Sequence, residues 1–219
     1  MNYKIFPISE QAVTLQIEQR IDPLLNDQIL FWVNYIREKP FDGFREVVPA
    51  YASLTVFYNL VEVQQQCRPG QTAFSFVAEW LKALPKGTPA KNNSVRKEIP
   101  VSYEGPDLLR VAEINGLSEK EVIEMHSSAV YRVYMLGFLP GFAYLGGLDE
   151  KLTAPRLETP RIKVPAGSVA IGGNQTGIYP FESPGGWNII GHSDIQLFDY
   201  KLNRPSFLVP GDEVVFCPV

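Results

Sequence analysis

Gly172-Gly173-Asn174-Gln175-Thr176-Gly177-Ile178-Tyr179-Pro180-Phe181-Glu182-Ser183-Pro184-Gly185-Gly186-Trp187-Asn188-Ile189-Ile190-Gly191, residues 172–191, breaks very short apolar runs with glycine and proline at every few positions. A helix needs a longer uninterrupted period, so the stretch reads as short β-strands joined by tight turns, with Gly177–Tyr179 and Asn188–Ile190 as strand candidates. Gly172 and Gly177 stand five apart, as in a phosphate loop. That motif continues with Lys and Ser or Thr, whereas this chain supplies Ile178 and Tyr179. A dinucleotide fingerprint also fails, because strand, glycine trio and helix do not occur in that order. The glycines then serve to turn strands and to let backbone approach a ligand or partner.

The same texture extends from Tyr131 to the C-terminal end of the sequence. Tyr131–Gly137, Ser168–Ile171, Ile195–Phe198 and Glu213–Phe216 add strand candidates at the spacing of a barrel or sandwich. The N-terminal part differs. Lys4–Ile8 and Ala12–Ile17 alternate as half-buried strands do, and Asp22-Pro23 then offers an N-cap and a first-turn proline. Leu25, Ile29, Val33 and Ile36 follow at helical spacing. Phe44–Leu60 is rich in β-branched and aromatic residues and predicts one or two strands, with Pro49 at an edge or bend. Thr72 caps a second predicted helix carrying Phe74, Val77, Leu81 and Leu84 on one face, ended by Pro85-Lys86-Gly87. Helices with one apolar stripe need a sheet to cover it, so residues 1–90 read as a small α/β domain.

Pro89–Glu98 is polar and reads as a linker; Ile99–Tyr103 is a strand candidate. Asp107–Glu113 and Glu119–His126 predict two short helices, the second begun by a Ser118/Glu121 capping box. His126 then falls at a helix C-terminus, where the dipole favours a cation.

A net charge of -4 and a pI near 5.3 exclude a surface built to neutralise nucleic-acid phosphates. No apolar run reaches the length of a membrane span and the start lacks a secretory pattern, so a cytoplasmic protein is expected. Cys67 and Cys217 have no metal or redox spacing, and His126 and His192 are the only imidazoles, so no metal site is expected.

Three prolines, Pro155, Pro160 and Pro165, stiffen the segment bearing Arg156, Arg161 and Lys163, which suits recognition of a carboxylate or phosphate; a charged, solvated loop fits the spacing equally well. Ser168, Ser183 and Ser193 sit in no nucleophile elbow, and Ser193 next to His192 would face the other side of a strand, which disfavours a serine triad. Glu158, Glu182 and Asp194 are carboxylates available as acid or base.

Longer motifs carry a resemblance. GFLPGFAYLGGLD (137–149), PRLETPRIKVPAGSVAI (155–171) and GGNQTGIYPFESPGGWNIIG (172–191) resemble, in order, the allophanate hydrolase subunit 1 family, also called the Kip inhibitor family or the family of the 5-oxoprolinase B subunit. VPAYASLTV (48–56) and GPDLLRVAEINGLSEKEVIEMH (105–126) extend the likeness over nearly the whole chain. The resemblance implies an α+β protein: the α/β domain 1–90, then a cyclophilin-like β-barrel domain, 91–219, with two short helices near its start and no implied prolyl isomerase activity. It also implies a B subunit that works with a carboxyltransferase-related C subunit and an A subunit, using ATP to open 5-oxoproline to glutamate. ATP would be shared with or held by these partners, and no biotin is expected on this chain.

Substrate- or anion-binding candidates within these motifs are Arg156, Arg161, Lys163, Gln175, Thr176, Tyr179, Glu182, Trp187 and His192, with Gly141, Gly173, Gly177 and Gly186 as pocket backbone. The family pattern has Gly-Arg-Thr-Pro where this chain has Gly191-His192-Ser193-Asp194, and VSYEGPDL (101–108) is shorter than the usual Cys-containing stretch. Inhibition of a sensor histidine kinase by protein contact, and a carboxyltransferase-related role on urea or allophanate-like substrates, are the alternatives that the resemblance leaves open.

Overall fold

Asp22 begins the first helix as its side chain predicts: its carboxylate accepts the backbone N–H groups of Leu24 and Leu25 at 2.8 and 3.3 Å, and Pro23 gives up an N–H that would have had no partner. That helix, α1 (Pro23–Glu38), belongs to the first of two compact units, Met1–Asn92 and Asn93–Val219. The computed structural model describes residues 2–18, 20–87 and 94–219.

The first unit opens with the hairpin β1 (Lys4–Ser9) and β2 (Ala12–Gln16), and after α1 adds β3 (Phe44–Pro49), β4 (Ser53–Tyr58), a short α2 (Leu60–Gln64) and α3 (Ala73–Lys82). The strands form an antiparallel sheet in the order β1-β2-β4-β3, so Pro49 ends an edge strand, where its missing N–H breaks no ladder. Helix α1 packs on β3 and β4, and α3 packs on β1 and β2. Val13, Leu15, Ile29, Val33, Ile36, Leu54, Val56, Val77 and Leu81 are buried between the layers. Each contributes roughly 1.5–3 kcal/mol by leaving water. Thr72 and Ser75 form a reciprocal capping box at the start of α3.

The second unit contains β5 (Arg96–Val101), α4 (Leu108–Asn115), α5 (Glu119–Ser128), β6 (Tyr131–Leu136), β7 (Ala143–Gly146), β8 (Arg161–Val164), β9 (Ser168–Gly172), β10 (Gln175–Ile178), β11 (Ser183–Gly185), β12 (Asn188–His192) and β13 (Glu213–Pro218). Seven strands form one sheet in the order β12-β9-β10-β7-β6-β13-β5, antiparallel except for β13 with β5. Its two edges meet: Ser102, just after β5, and His192 of β12 exchange backbone hydrogen bonds of 2.9 and 2.8 Å. The sheet is thereby nearly closed and barrel-like. Ile99, Val101, Val133, Leu145, Val169, Ile171, Ile178, Ile190 and Phe216 fill its inside. α4 packs on α5 and β12, and α5 packs on β13.

The chain is thus mixed α+β, with a small N-terminal sheet and a barrel-like second sheet. Four local expectations need correction. Arg96–Glu98 is not linker but the start of β5, held by parallel pairing to Glu213–Val215; residues 88–93 of that predicted linker lie outside the described residues. Ile195–Phe198 is not a strand, because among the described residues only Phe198 makes a bridge, to Ser206. Strands β7, β8 and β11 escape the sequence pattern, being three or four residues long with glycine or charge inside them. His126 is not a charged helix end. It is fully buried, and desolvation drives its imidazole pKa down to about 3, so it is neutral.

Candidate anion-binding site

Strand alternation gives the second sheet two faces. On β10, Thr176 and Ile178 point into the barrel while Gly177 and Tyr179, just beyond the strand, lie on the outer side; on β9, Ala170 and Gly172 are outward. The outer face carries a second cluster of Phe142, Val164, Ala170, Tyr179, Trp187 and Ile189. Phe142 is its hub, edge-on to Tyr144, Tyr179 and Trp187 with ring centroids at 5.0, 5.3 and 5.6 Å. The two-stranded ribbon β8–β11 covers this cluster, with Val164 pointing into it.

The glycines of residues 172–191 clear space for these rings. A Cβ on Gly172 would lie 2.5 Å from the Trp187 indole, and one on Gly185 would lie 2.4 Å from the Tyr179 hydroxyl. The run that resembled a phosphate loop is a hairpin, β9 to β10, laid under an aromatic side chain. Burial pushes the Tyr179 phenol pKa up, while the Trp187 backbone N–H and the charges of Arg156 and Arg161 pull it the other way.

Around this edge of the cluster stand three arginines. Arg156 places its guanidinium carbon 5.9 Å from the centroid of the Trp187 ring. Arg161, at the start of β8, donates from Nη2 to Asp107 Oδ1 at 2.7 Å, and Asp107 Oδ2 accepts the backbone N–H of Ile189 at 2.7 Å. Its other terminal nitrogen, Nη1, is enclosed and has no hydrogen-bond partner. Arg110 of α4 donates to Asn188 Oδ1 at 3.0 Å, and Asn188 Nδ2 donates to the carbonyls of Pro155 and Ile171 at 3.0 and 3.1 Å. In a chain of net charge -4, three guanidiniums and the Asp107 carboxylate in succession make a local basic site, held rigid by buried Asp107 and Asn188. Such forks suit a planar anion.

Of the residues selected from sequence, Arg156, Arg161, Tyr179 and Trp187 come together here. Lys163 and Glu182 pair with each other at 3.0 Å across the exposed side of the ribbon. Thr176 is fully buried inside the barrel, its hydroxyl donating to Ala170 O at 3.0 Å and lying 2.9 Å from His126 Nε2. Gln175 is half-buried at the start of β10. His192 lies at the opposite end of β12 from Asn188, on the Gly167 turn, 3.1 Å from Asp194. Gly186 accepts the Leu157 N–H at 2.7 Å beside the arginines, and Gly177 lies under Trp187. Gly141 instead abuts Phe198, and Gly173 turns the β9–β10 hairpin in open space. Asp107, Arg110 and Asn188 escape sequence reasoning: the bonds from Arg161 and Ile189 to Asp107 and from Arg110 to Asn188 each span more than fifty positions of sequence, and no local motif marks them. Among the described residues no group of three or more His, Cys, Asp or Glu side chains is placed to hold a metal ion, and no helix is long and apolar enough to cross a membrane.

Its sequence and fold place the chain in a known class. The family model described as carboxyltransferase domain, subdomain C and D, matches residues 3–208. The chain is 54% identical over 216 residues to the 5-oxoprolinase B subunit of Haemophilus influenzae, covering 97% of this chain and 96% of that protein. It is 41% identical over 224 residues to the 5-oxoprolinase B subunit of Bacillus subtilis, covering 99% and 92%. The crystal structure of TTHA0988 superposes with a TM-score of 0.82 at 35% identity, over 95% of this chain but 40% of that one. The chain belongs to the 5-oxoprolinase B-subunit family of carboxyltransferase-domain proteins.

Proposed function

We propose that this chain acts in the cytoplasm as the B subunit of an ATP-dependent 5-oxoprolinase, together with a carboxyltransferase-related C subunit and an A subunit, opening 5-oxo-L-proline to L-glutamate. The carrying observation is the 54% identity to a 5-oxoprolinase B subunit along almost the full length of both chains. The two units serve as separate domains, 1–90 and 91–219, the second a cyclophilin-like barrel used as a binding scaffold. A lactam is a poor electrophile, so the reaction needs its amide oxygen converted to a leaving group. Transfer of a phosphoryl group from ATP to that oxygen activates the ring carbon, and water adds there. The C–N bond then breaks, with its electron pair and a proton going to the nitrogen, to leave an acyl phosphate; a second water releases phosphate and gives glutamate. ATP is held by or shared with the partner subunits; in this chain Gly172 and Gly177 of the glycine run pack against the Trp187 indole. Arg156, Arg161 and Tyr179 supply preorganised donors for a negatively charged group.

The test is glutamate formation from 5-oxoproline and ATP by the purified A, B and C subunits. The complete mixture is expected to form glutamate, and omission of this chain to abolish it. No glutamate from the complete mixture, or undiminished glutamate without this chain, overturns the proposal.

A further inference from the structure

The enclosed Nη1 of Arg161 is the least explained polar atom of the site. Its twin, Nη2, is fixed by Asp107 at 2.7 Å, and Asp107 is itself fixed by the Ile189 N–H, so the guanidinium cannot turn to satisfy Nη1 without giving up that pair. A buried charged donor without an acceptor is costly, and the cost disappears when a ligand brings the acceptor. Tyr179 lies beside Arg161: Arg161 of β8 pairs with Gly185 of β11, and a Cβ on Gly185 would lie 2.4 Å from the Tyr179 hydroxyl, which can donate its O–H. Arg156 stands over the Trp187 ring at the same edge.

We propose that Arg161 Nη1, the Tyr179 hydroxyl and Arg156 form a carboxylate-binding site that holds the carboxylate of the cyclic-amide substrate and so sets the specificity of the enzyme for an acidic lactam. This rests on the oxoprolinase reading and adds to it which part of the substrate this chain recognises. One free fork corner beside one hydroxyl matches the two oxygens of a planar carboxylate. A phosphoryl group brings three terminal oxygens and is ordinarily cradled by backbone N–H groups of a glycine-rich turn or a nest. In this chain Gly172 and Gly177, on either side of the turn, pack against the Trp187 indole instead. Asp107 touches no ligand in this arrangement; it is a positioning residue that aims Arg161.

Two side-chain changes and one substrate change test the site in the complete three-subunit mixture. Arg161→Lys keeps a cation for Asp107 but loses the fork, and Tyr179→Phe keeps the ring packing but loses the O–H. Each is expected to raise KM for 5-oxoproline about tenfold to a hundredfold, the loss of one charge-assisted hydrogen bond, with KM for ATP unmoved. With the unmodified chain, 5-oxoprolinamide, which has no carboxylate, is expected to be poorer than 5-oxoproline by the same factor. Both variants should shrink that preference. Unchanged KM for 5-oxoproline in variants whose thermal unfolding shows an intact fold, a rise in KM for ATP in its place, or equal use of the amide by the unmodified enzyme overturns the proposal. The amide comparison needs no variant and stands if either substitution fails to fold.

If the complete mixture forms no glutamate, the oxoprolinase reading fails and the site is decided separately, by titrating the isotope-labelled chain and following the Trp187 indole N–H signal. Saturable shifts with 5-oxoproline but not 5-oxoprolinamide support a carboxylate site. Equal shifts with the amide, or tighter binding of inorganic phosphate, overturn it.

Discussion

His126 Nε2 lies 2.9 Å from Thr176 Oγ1 in the closed interior of the barrel, and the other ring nitrogen, Nδ1, lies 2.7 Å from the Tyr103 hydroxyl. Thr176 donates its own proton to Ala170 O at 3.0 Å, so its oxygen must accept from the imidazole. The proton therefore sits on Nε2 and Tyr103 donates to Nδ1, giving one directed chain, Tyr103 to His126 to Thr176 to Ala170, with every donor used. A second proton would have to sit on Nδ1, where the Tyr103 hydroxyl already donates, and Phe216, stacked on the ring face at 4.6 Å, helps keep the site dry.

The consequence is a pH-dependent stability. The folded-state pKa of His126, about 3, is below its ordinary value of 6.5, so between the two the unfolded chain binds a proton that the folded chain refuses. Stability contributed this way is complete above pH 6.5 and falls as pH drops toward the folded value, by roughly 1 to 2 kcal/mol per pH unit. Urea midpoints measured at about pH 7.5 and about pH 5 should fall for the native chain and fall less for His126→Gln. Parallel slopes for the two proteins would show that His126 is not the titrating group.

Adjacent glycines should respond unequally to alanine. At Gly172 a Cβ would enter the Trp187 indole at 2.5 Å, with β9 and its neighbours holding both in place. Gly172→Ala is expected to cost about 2–3 kcal/mol by overpacking and to alter the near-ultraviolet dichroism of the tryptophans. Gly173 has no atom within 4 Å of the same position and only a φ of 64° to maintain. Gly173→Ala should cost about 1 kcal/mol, and Gly173→Asn less, since asparagine tolerates that region. Chemical denaturation of the three variants checks the order.

Much of this architecture is legible in sequence where the signal is local. Asp22-Pro23, Thr72 and the Ser118/Glu121 box mark helix starts through bonds made within a few residues, and the structure uses all of them. Ile195–Phe198 misleads because alternating apolar residues report burial, not pairing: Leu197 is buried, yet among the described residues the segment makes only the single bridge of Phe198 to Ser206. The site is legible only in part for the same reason. Arg156 and Arg161 stand out between prolines, but the residues that aim them are far away in sequence, Asp107 being 54 positions from Arg161 and Arg110 being 78 from Asn188. Thr176 stands out in sequence as a hydroxyl in a glycine turn. The two-residue period of β10 sends it inside, to His126.

Phe138 and Phe142, four residues apart in one motif, have different fates. Phe138 is a non-glycine residue at φ 71° with 62% of its surface exposed, whereas Phe142 is 2% exposed. Relieving the backbone conformation at 138 offsets most of what glycine loses there, so Phe138→Gly should change stability by no more than about 1 kcal/mol. Phe142→Ala removes the hub of the outer cluster and is expected to cost about 3–5 kcal/mol. Equal losses in thermal unfolding free energy would mean that the Phe138 ring is buried in solution.

The ion pair Asp107–Arg161 should be worth far more than Lys163–Glu182, although both are short. The Asp107 and Arg161 side chains are 7% and 31% exposed, against 73% and 57% for Lys163 and Glu182, so water screens the second pair and not the first. Asp107→Asn leaves a largely enclosed guanidinium beside an amide that can satisfy either Arg161 or the Ile189 N–H as an acceptor but not both as the carboxylate does. A loss of about 3 kcal/mol is expected, against less than about 1 kcal/mol for Glu182→Gln. Because Asp107 aims Arg161, the two are one unit: the cycle of Asp107→Asn, Arg161→Lys and the double variant should show a coupling above about 1 kcal/mol in both unfolding free energy and KM for 5-oxoproline. Additive effects on KM would mean that Arg161 is placed by something other than Asp107.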